Sequence, residues 1–178
     1  MGKYFDELVR SMEFLASKKN TVFLGQSVSV AGTAMRNTLL NVTHEKLIEL
    51  PVEEEFQLGV STGMALDGLI PVSIFPRWNF LLLATNQIIN HLDKLQEITG
   101  SKNPGKVIIR TGIGSISPLH PGPQHTGDFT EAFKLMCKSI DVIRLDTADQ
   151  IFPAYKNAYE RVDGRSSLIV EWSDKYGE

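Results

Sequence analysis

The chain reads as an α/β domain in three layers, a mostly parallel sheet with helices on both faces. Two observations predict this. From Lys46 onward, short strand-like runs alternate with longer helical patterns, and that alternation builds a parallel sheet. The strand-like runs are continuous apolar stretches rather than alternating ones, as strands covered on both faces are. The size agrees with a single domain over residues 1–178. The 178 residues suffice for one core, and 42% hydrophobic with 22% charged residues is the range of globular chains.

The first element is a helix, because Phe5, Leu8, Val9, Met12 and Leu15 recur at helical spacing. A short apolar strand follows at residues 22–25. Residues 26–44 are rich in Ser, Thr and Gly and turn apolar only near Leu39 and Leu40, so they read as a loop holding a short helix. Residues 46–50 form a strand. Residues 53–66 form a helix, opened by Pro51 and by acids that complement the partial positive charge of a helix start. A strand at 70–75 leads to a long helix at 80–98, closed by Gly100. A strand at 106–110 precedes a long loop at 112–127. A helix at 129–138, a strand at 142–145, a helix at 150–161 and a strand at 167–172 complete the chain, with no internal repeat or interdomain linker.

Several function classes are disfavoured. A net charge of −3 offers no electrostatic case for nucleic acid or an anionic membrane. No apolar run reaches membrane-spanning length. The N-terminal residues mix acids and apolar residues at helical spacing, unlike a signal or transit peptide, so the expected location is the cytoplasm. The single Cys137 excludes an internal disulfide, and four scattered histidines do not make a metal site.

In parallel sheets ligands sit beyond the carboxyl ends of the strands. Here those ends are residues 26–29, 51–55, 76–79, 112–126 and 146–149. The unusual residues gather there: Glu53, Glu54, Glu55, Arg77, Trp78, His120 and His125, with Phe80 just beyond. Gly59 and Gly63 share one face of the helix that follows the glutamates. Each costs about 1 kcal/mol against Ala, which a tight helix–helix contact at a subunit interface would offset, or, as a weaker reason, ordinary packing of the helix on the sheet.

The segment 46–90 carries a strand, Pro51, Glu54, Gly59 and Gly63, the turn Gly68-Leu69-Ile70-Pro71, and Gln87-Ile88-Ile89-Asn90. With VFLG at 22–25, the pair Gln124–His125 and LIVEW at 168–172, this ordered set resembles the pyrimidine-binding domain of thiamine-diphosphate enzymes. The resemblance covers nearly the whole chain. The nearest group is the beta subunit of the 2-oxo acid dehydrogenase first component, with transketolase-type enzymes beside it.

That resemblance implies thiamine diphosphate as cofactor, held here by its pyrimidine half. It makes Glu54 the activating residue, a carboxyl that shares a proton with the pyrimidine ring nitrogen. Glu53 and Glu55 lie one residue either side, so the register stays open. Phe80 falls where the family stacks an aromatic ring on the pyrimidine, worth roughly 1 kcal/mol beyond burial. Trp78 is the alternative, and the plain alternative for Phe80 is a core residue. His125 is implied to face the reacting carbons and handle protons, with His120 competing for a place at the substrate. Arg77 has no family counterpart. It is expected to hold a substrate carboxylate or phosphate, or else to be a solvated or interface arginine. Phe56 departs from the family, which usually has Gly there.

The family also needs a module that binds the diphosphate through Mg²⁺, with a GDG motif and a downstream Asn. The sequence contains no GDG. The expectation is therefore a pyrimidine-binding domain alone, without diphosphate-binding and C-terminal domains and inactive by itself. The expected partner is a diphosphate-binding subunit that carries GDG and Mg²⁺, in a heterotetramer with self-association. The alternatives are a subunit of a split 2-oxo acid decarboxylase, or a non-catalytic interaction protein that keeps the fold.

Overall fold

The structure, a computed structural model, describes residues 3–116 and 120–177. Helix α1 (Lys3–Ala16) leads into β1 (Thr21–Gly25), the short α2 (Ala34–Asn37), β2 (Leu47–Glu49) and α3 (Glu54–Leu66). Strand β3 (Ile70–Phe75) is followed by α4 (Trp78–Leu81), two further helical turns and α5 (Leu95–Thr99). Then come β4 (Ile108–Ile113), α6 (Thr130–Met136), β5 (Asp141–Leu145), α7 (Ala148–Glu160) and β6 (Ser167–Trp172). The strands make one sheet in the order β2-β1-β3-β4-β6-β5, and every neighbouring pair is parallel.

Successive strand residues point to opposite faces, so each apolar run feeds two cores. Ile108 and Ile169 join Leu8, Met12, Ile151 and Tyr155 under α1 and α7. Ile109 and Val170 join Leu58, Trp78, Ile88 and Phe133 under α3, the helical run after β3, and α6. This double coverage is the physical reason that the strands read as unbroken hydrophobic stretches.

Three features differ from the sequence expectation. The helix expected at 80–98 changes pitch along its length. Its buried residues Trp78, Leu81 and Ala84 step by three, matching a tight turn at Leu82–Ala84. Ile88 and Leu92 then step by four through a wide turn, where Asp93 N–H reaches back five residues to Ile88 O at 2.8 Å. Strand β4 runs on to Ile113 and takes in Gly112, expected in the loop. A Cβ on Gly112 would lie 2.7 Å from Ser173 Oγ, so the glycine serves a packing contact that local sequence does not reveal. Finally, β4 and β6 carry charges in their buried middles. Arg110 and Glu171 are fully buried and paired, Arg110 Nε to Glu171 Oε1 at 2.6 Å and Nη2 to Oε2 at 2.9 Å. Thr38 Oγ1 accepts from Arg110 Nη1 at 2.8 Å, and the Tyr155 and Tyr176 hydroxyls donate to Glu171.

Gly59 meets only ordinary contact from Gln87, and Gly63 has no atom within 4 Å of where its Cβ would be. Packing inside the chain therefore does not explain either glycine.

Candidate active site

Strand β1 is flanked by β2 and β3, so the segments leaving those two strands border a crevice above the end of β1. Gly25 closes β1 with φ +152°, and a Cβ there would collide with the Ile74 carbonyl. The side chain of Gln57 uses the space: its Nε2 donates to Ser73 Oγ and to Ile74 O, each at 3.0 Å. These bonds fasten the first turn of α3 over β1 and β3, and so aim the residues that open the helix.

Of the three glutamates, only Glu54 is buried, with 7% of its surface exposed; Glu53 and Glu55 are exposed. Glu55 accepts from Asn86 Nδ2 at 2.9 Å, which ties α3 to the neighbouring helical run. The Glu54 carboxyl makes no hydrogen bond or ion pair among the described residues. Its place at the helix start lets backbone N–H dipoles stabilise a charge there. The residue is buried as a whole, but its carboxyl oxygens are not sealed from solvent, so the group is open to a partner from outside the chain.

Beyond β3 and β4 a second cluster forms. The rings of Phe80 and His125 lie 5.4 Å apart at 57°, and both residues are half-buried. His125 Nδ1 is closed off from solvent and has no hydrogen-bond partner. Arg77 donates to His125 O at 3.3 Å and to Ser115 Oγ at 3.4 Å, bridging the two loops. Asn79 Oδ1 accepts from Gly127 N–H at 3.2 Å and pins the same His125 loop. Arg77 and Phe80 help to line a cavity of about 330 Å³ with Gln26, Ser27, Thr33 and Ser173. Its wall is thus one cation, one aromatic ring and several hydroxyl or amide groups, a set suited to a polar ligand bearing an anionic group.

The structure therefore brings Arg77, Phe80 and His125 together, with Glu54 at the same end of the sheet beyond β2 and outside that cavity wall. Two expected residues lie elsewhere. Trp78 is wholly buried, with its ring edge-on to Phe133 at 5.4 Å, so no face of the indole is free for a cofactor. His120 is exposed, and its Nδ1 accepts from Gly122 N–H at 3.0 Å within a local turn. Sequence reasoning missed Gln57, Asn79 and Ser115. The two amides carried no motif, and Ser115 lay in a loop whose path was not readable.

The chain is 30% identical over 133 residues to the human mitochondrial pyruvate dehydrogenase E1 component subunit beta, covering 75% of this chain and 36% of that protein. It is 33% identical over 162 residues to the subunit beta of Cyanidium caldarium, covering 89% and 46%. A 3-methyl-2-oxobutanoate dehydrogenase subunit beta of Mycobacterium tuberculosis is 24% identical over 136 residues, covering 72% and 37%. The chain thus spans less than half the length of these relatives. Among solved structures, a split-gene transketolase, described as an inactive beta4 tetramer, superposes with a TM-score of 0.68 at 17% identity, covering 96% of this chain and 50% of that one. Among the described residues no helix is long and apolar enough to cross a membrane. Residues 6–176 match the pyrimidine-binding domain of transketolase, and the chain belongs to that family.

Proposed function

We propose that this chain is the pyrimidine-binding subunit of a split thiamine-diphosphate-dependent enzyme of the 2-oxo acid dehydrogenase or transketolase type. Glu54 carries the reading: one buried carboxyl from a run of three, at a helix start beyond a strand end, without a partner in its own chain. Such a carboxyl suits an outside ring nitrogen with which it can share a proton. When bound, thiamine diphosphate supplies a carbon nucleophile for attack on a 2-oxo acid or a ketose. Glu54 holds and moves the proton at the pyrimidine. Phe80 offers its free face to that ring. His125, with Nδ1 unpartnered, moves protons at the substrate, and Arg77 faces the substrate's anionic group while it steadies the His125 loop.

A second chain carrying GDG holds the diphosphate and Mg²⁺. The open face of α3 at Gly63, on the same helix as the half-exposed Phe56, suits close approach by another subunit. The beta4 assembly of the structural neighbour supports self-association, and its description as inactive supports a chain that is silent without its partner.

The test is a pull-down of the native chain with mass spectrometry, followed by assay with thiamine diphosphate and Mg²⁺. Recovery of a stoichiometric GDG-bearing chain is expected, with turnover that Glu54→Gln abolishes. A complex whose activity never depends on Glu54 would overturn the catalytic reading in favour of a non-catalytic interaction protein. Release of a free aldehyde as sole product would move the assignment to a decarboxylase.

A further inference from the structure

The loop between β1 and α2 forms one wall of the cavity through Gln26, Ser27, Gly32 and Thr33. Its shape is held by a residue outside it. Glu49, the last residue of β2, accepts the backbone N–H groups of Ser27 at 2.5 Å, Val28 at 2.9 Å and Ser29 at 2.8 Å. Its Oε2 also accepts from the Ser29 hydroxyl at 3.0 Å. Three successive N–H groups converging on one point make a nest, a concavity that selects an anion. Ser27 has φ +55°, a left-handed conformation that is unfavourable for a non-glycine residue, so the turn needs its anion to persist. The rest of the wall builds on Ser27. A Cβ on Gly32 would lie 2.8 Å from Ser27 Oγ, so a larger residue there would have to turn the Ser27 hydroxyl aside.

Glu49 is exposed as a residue, yet partial desolvation of its carboxyl against the loop opposes its charge. The N–H groups of Ser29, Ser27 and Val28 and the Ser29 hydroxyl outweigh it and hold the carboxyl below its ordinary range. It is therefore an anion at neutral pH, as the nest requires.

We infer that Glu49 is the positioning residue of the cavity wall, setting the Gln26–Ser27 turn and through it the affinity of the site, without touching a ligand itself. This rests on the reading that the cavity belongs to a thiamine-diphosphate site. Glu49 stands five residues before Glu54 on the same strand-to-helix connection, so one segment carries both the carboxyl proposed to act and the carboxyl that shapes the wall.

Two measurements test it. In the full chain alone, hydrogen exchange at the Ser27, Val28 and Ser29 amides is compared with Glu49→Gln, which keeps the size but sets an NH₂ group against the nest. Exchange there should rise about tenfold or more, with the β3 and β4 amides unchanged. In the complex with its diphosphate-binding partner, Glu49→Gln should raise the KM for thiamine diphosphate severalfold while kcat at saturation is retained. A general loss of folded chain would instead lower kcat and leave KM alone. If Glu49→Gln does not fold, Glu49→Asp, one methylene short, should give the same changes at smaller size. Unchanged amides overturn the positioning role whatever the cofactor. Freed amides with an unchanged KM overturn the link to the site. Native complex without any thiamine-diphosphate dependence overturns the functional reading, and the exchange result then stands by itself as a test of the nest.

Discussion

Arg110→Met removes one partner of a wholly buried ion pair and leaves the Glu171 carboxylate with only the tyrosine hydroxyls. The wild-type guanidinium is satisfied on three sides, by both Glu171 oxygens and by Thr38. Burial alone would favour its neutral form, but the Glu171 charge overrides this and holds Arg110 firmly protonated. Breaking such a pair from one side costs about 3–5 kcal/mol, because the remaining charge is uncompensated. Met fills most of the volume, so little of the cost is cavity. For a chain of 178 residues this lowers the melting temperature by roughly 6–20 °C. Urea unfolding of the full chain measures it. Arg110→Met/Glu171→Leu should be less unstable than the sum of the two single variants, since no charge is left buried. Adding Tyr155→Phe and Tyr176→Phe, which removes the hydroxyls that have lost their acceptor, should recover more. A single variant within about 1 kcal/mol of wild type, the range of exposed pairs, would refute the argument, as would strictly additive losses. The cluster also supports the site, because Thr38 follows α2 and Tyr176 anchors the segment that begins with the cavity residue Ser173.

The remaining predictions concern single groups. Glu54→Gln should assemble normally yet lose thiamine-diphosphate turnover by roughly 100–10,000-fold, whereas Glu53→Gln and Glu55→Gln, at exposed positions, keep most activity; equal losses at all three would refute the assignment. Arg77→Ala should weaken substrate use more than cofactor binding, and should lower kcat as well because the His125 carbonyl and Ser115 hydroxyl lose their common donor; equal loss of substrate and cofactor affinity would remove the substrate role. Burial, helped by the nearby Asp93 charge, pushes the Cys137 thiol up to about 12, so iodoacetamide at pH 7 should label the native chain far more slowly than the chain in urea. Native labelling at the unfolded rate would contradict that burial.

Much of the fold was legible because its signals are local. The alternation of apolar runs with helical patterns depends on residues a few positions apart, and burial on two faces imposes it directly. Glu54 and His125 were singled out by their positions in an ordered motif, which left Glu53 and Glu55 open; of the three only Glu54 is buried, which follows from how α3 is fastened through Gln57. Trp78 and Phe80 show the limit. Both are aromatic and two residues apart, and a helix turns such a pair to different sides, so the entry angle of α4 chose which ring entered the core.

From its periodicities alone the chain specifies a parallel, doubly covered sheet, the order of its elements and the end of the sheet at which its unusual side chains gather, because each of these rests on short-range spacing and on hydrophobic burial. Which carboxyl is shielded, which ring stays free, and how Arg110 meets Glu171 or Glu49 meets the Ser27–Ser29 nest are settled only by folding. Those contacts join residues 20 to 61 positions apart, and their strength comes from the geometry and exclusion of water that exist once the sheet has closed over them.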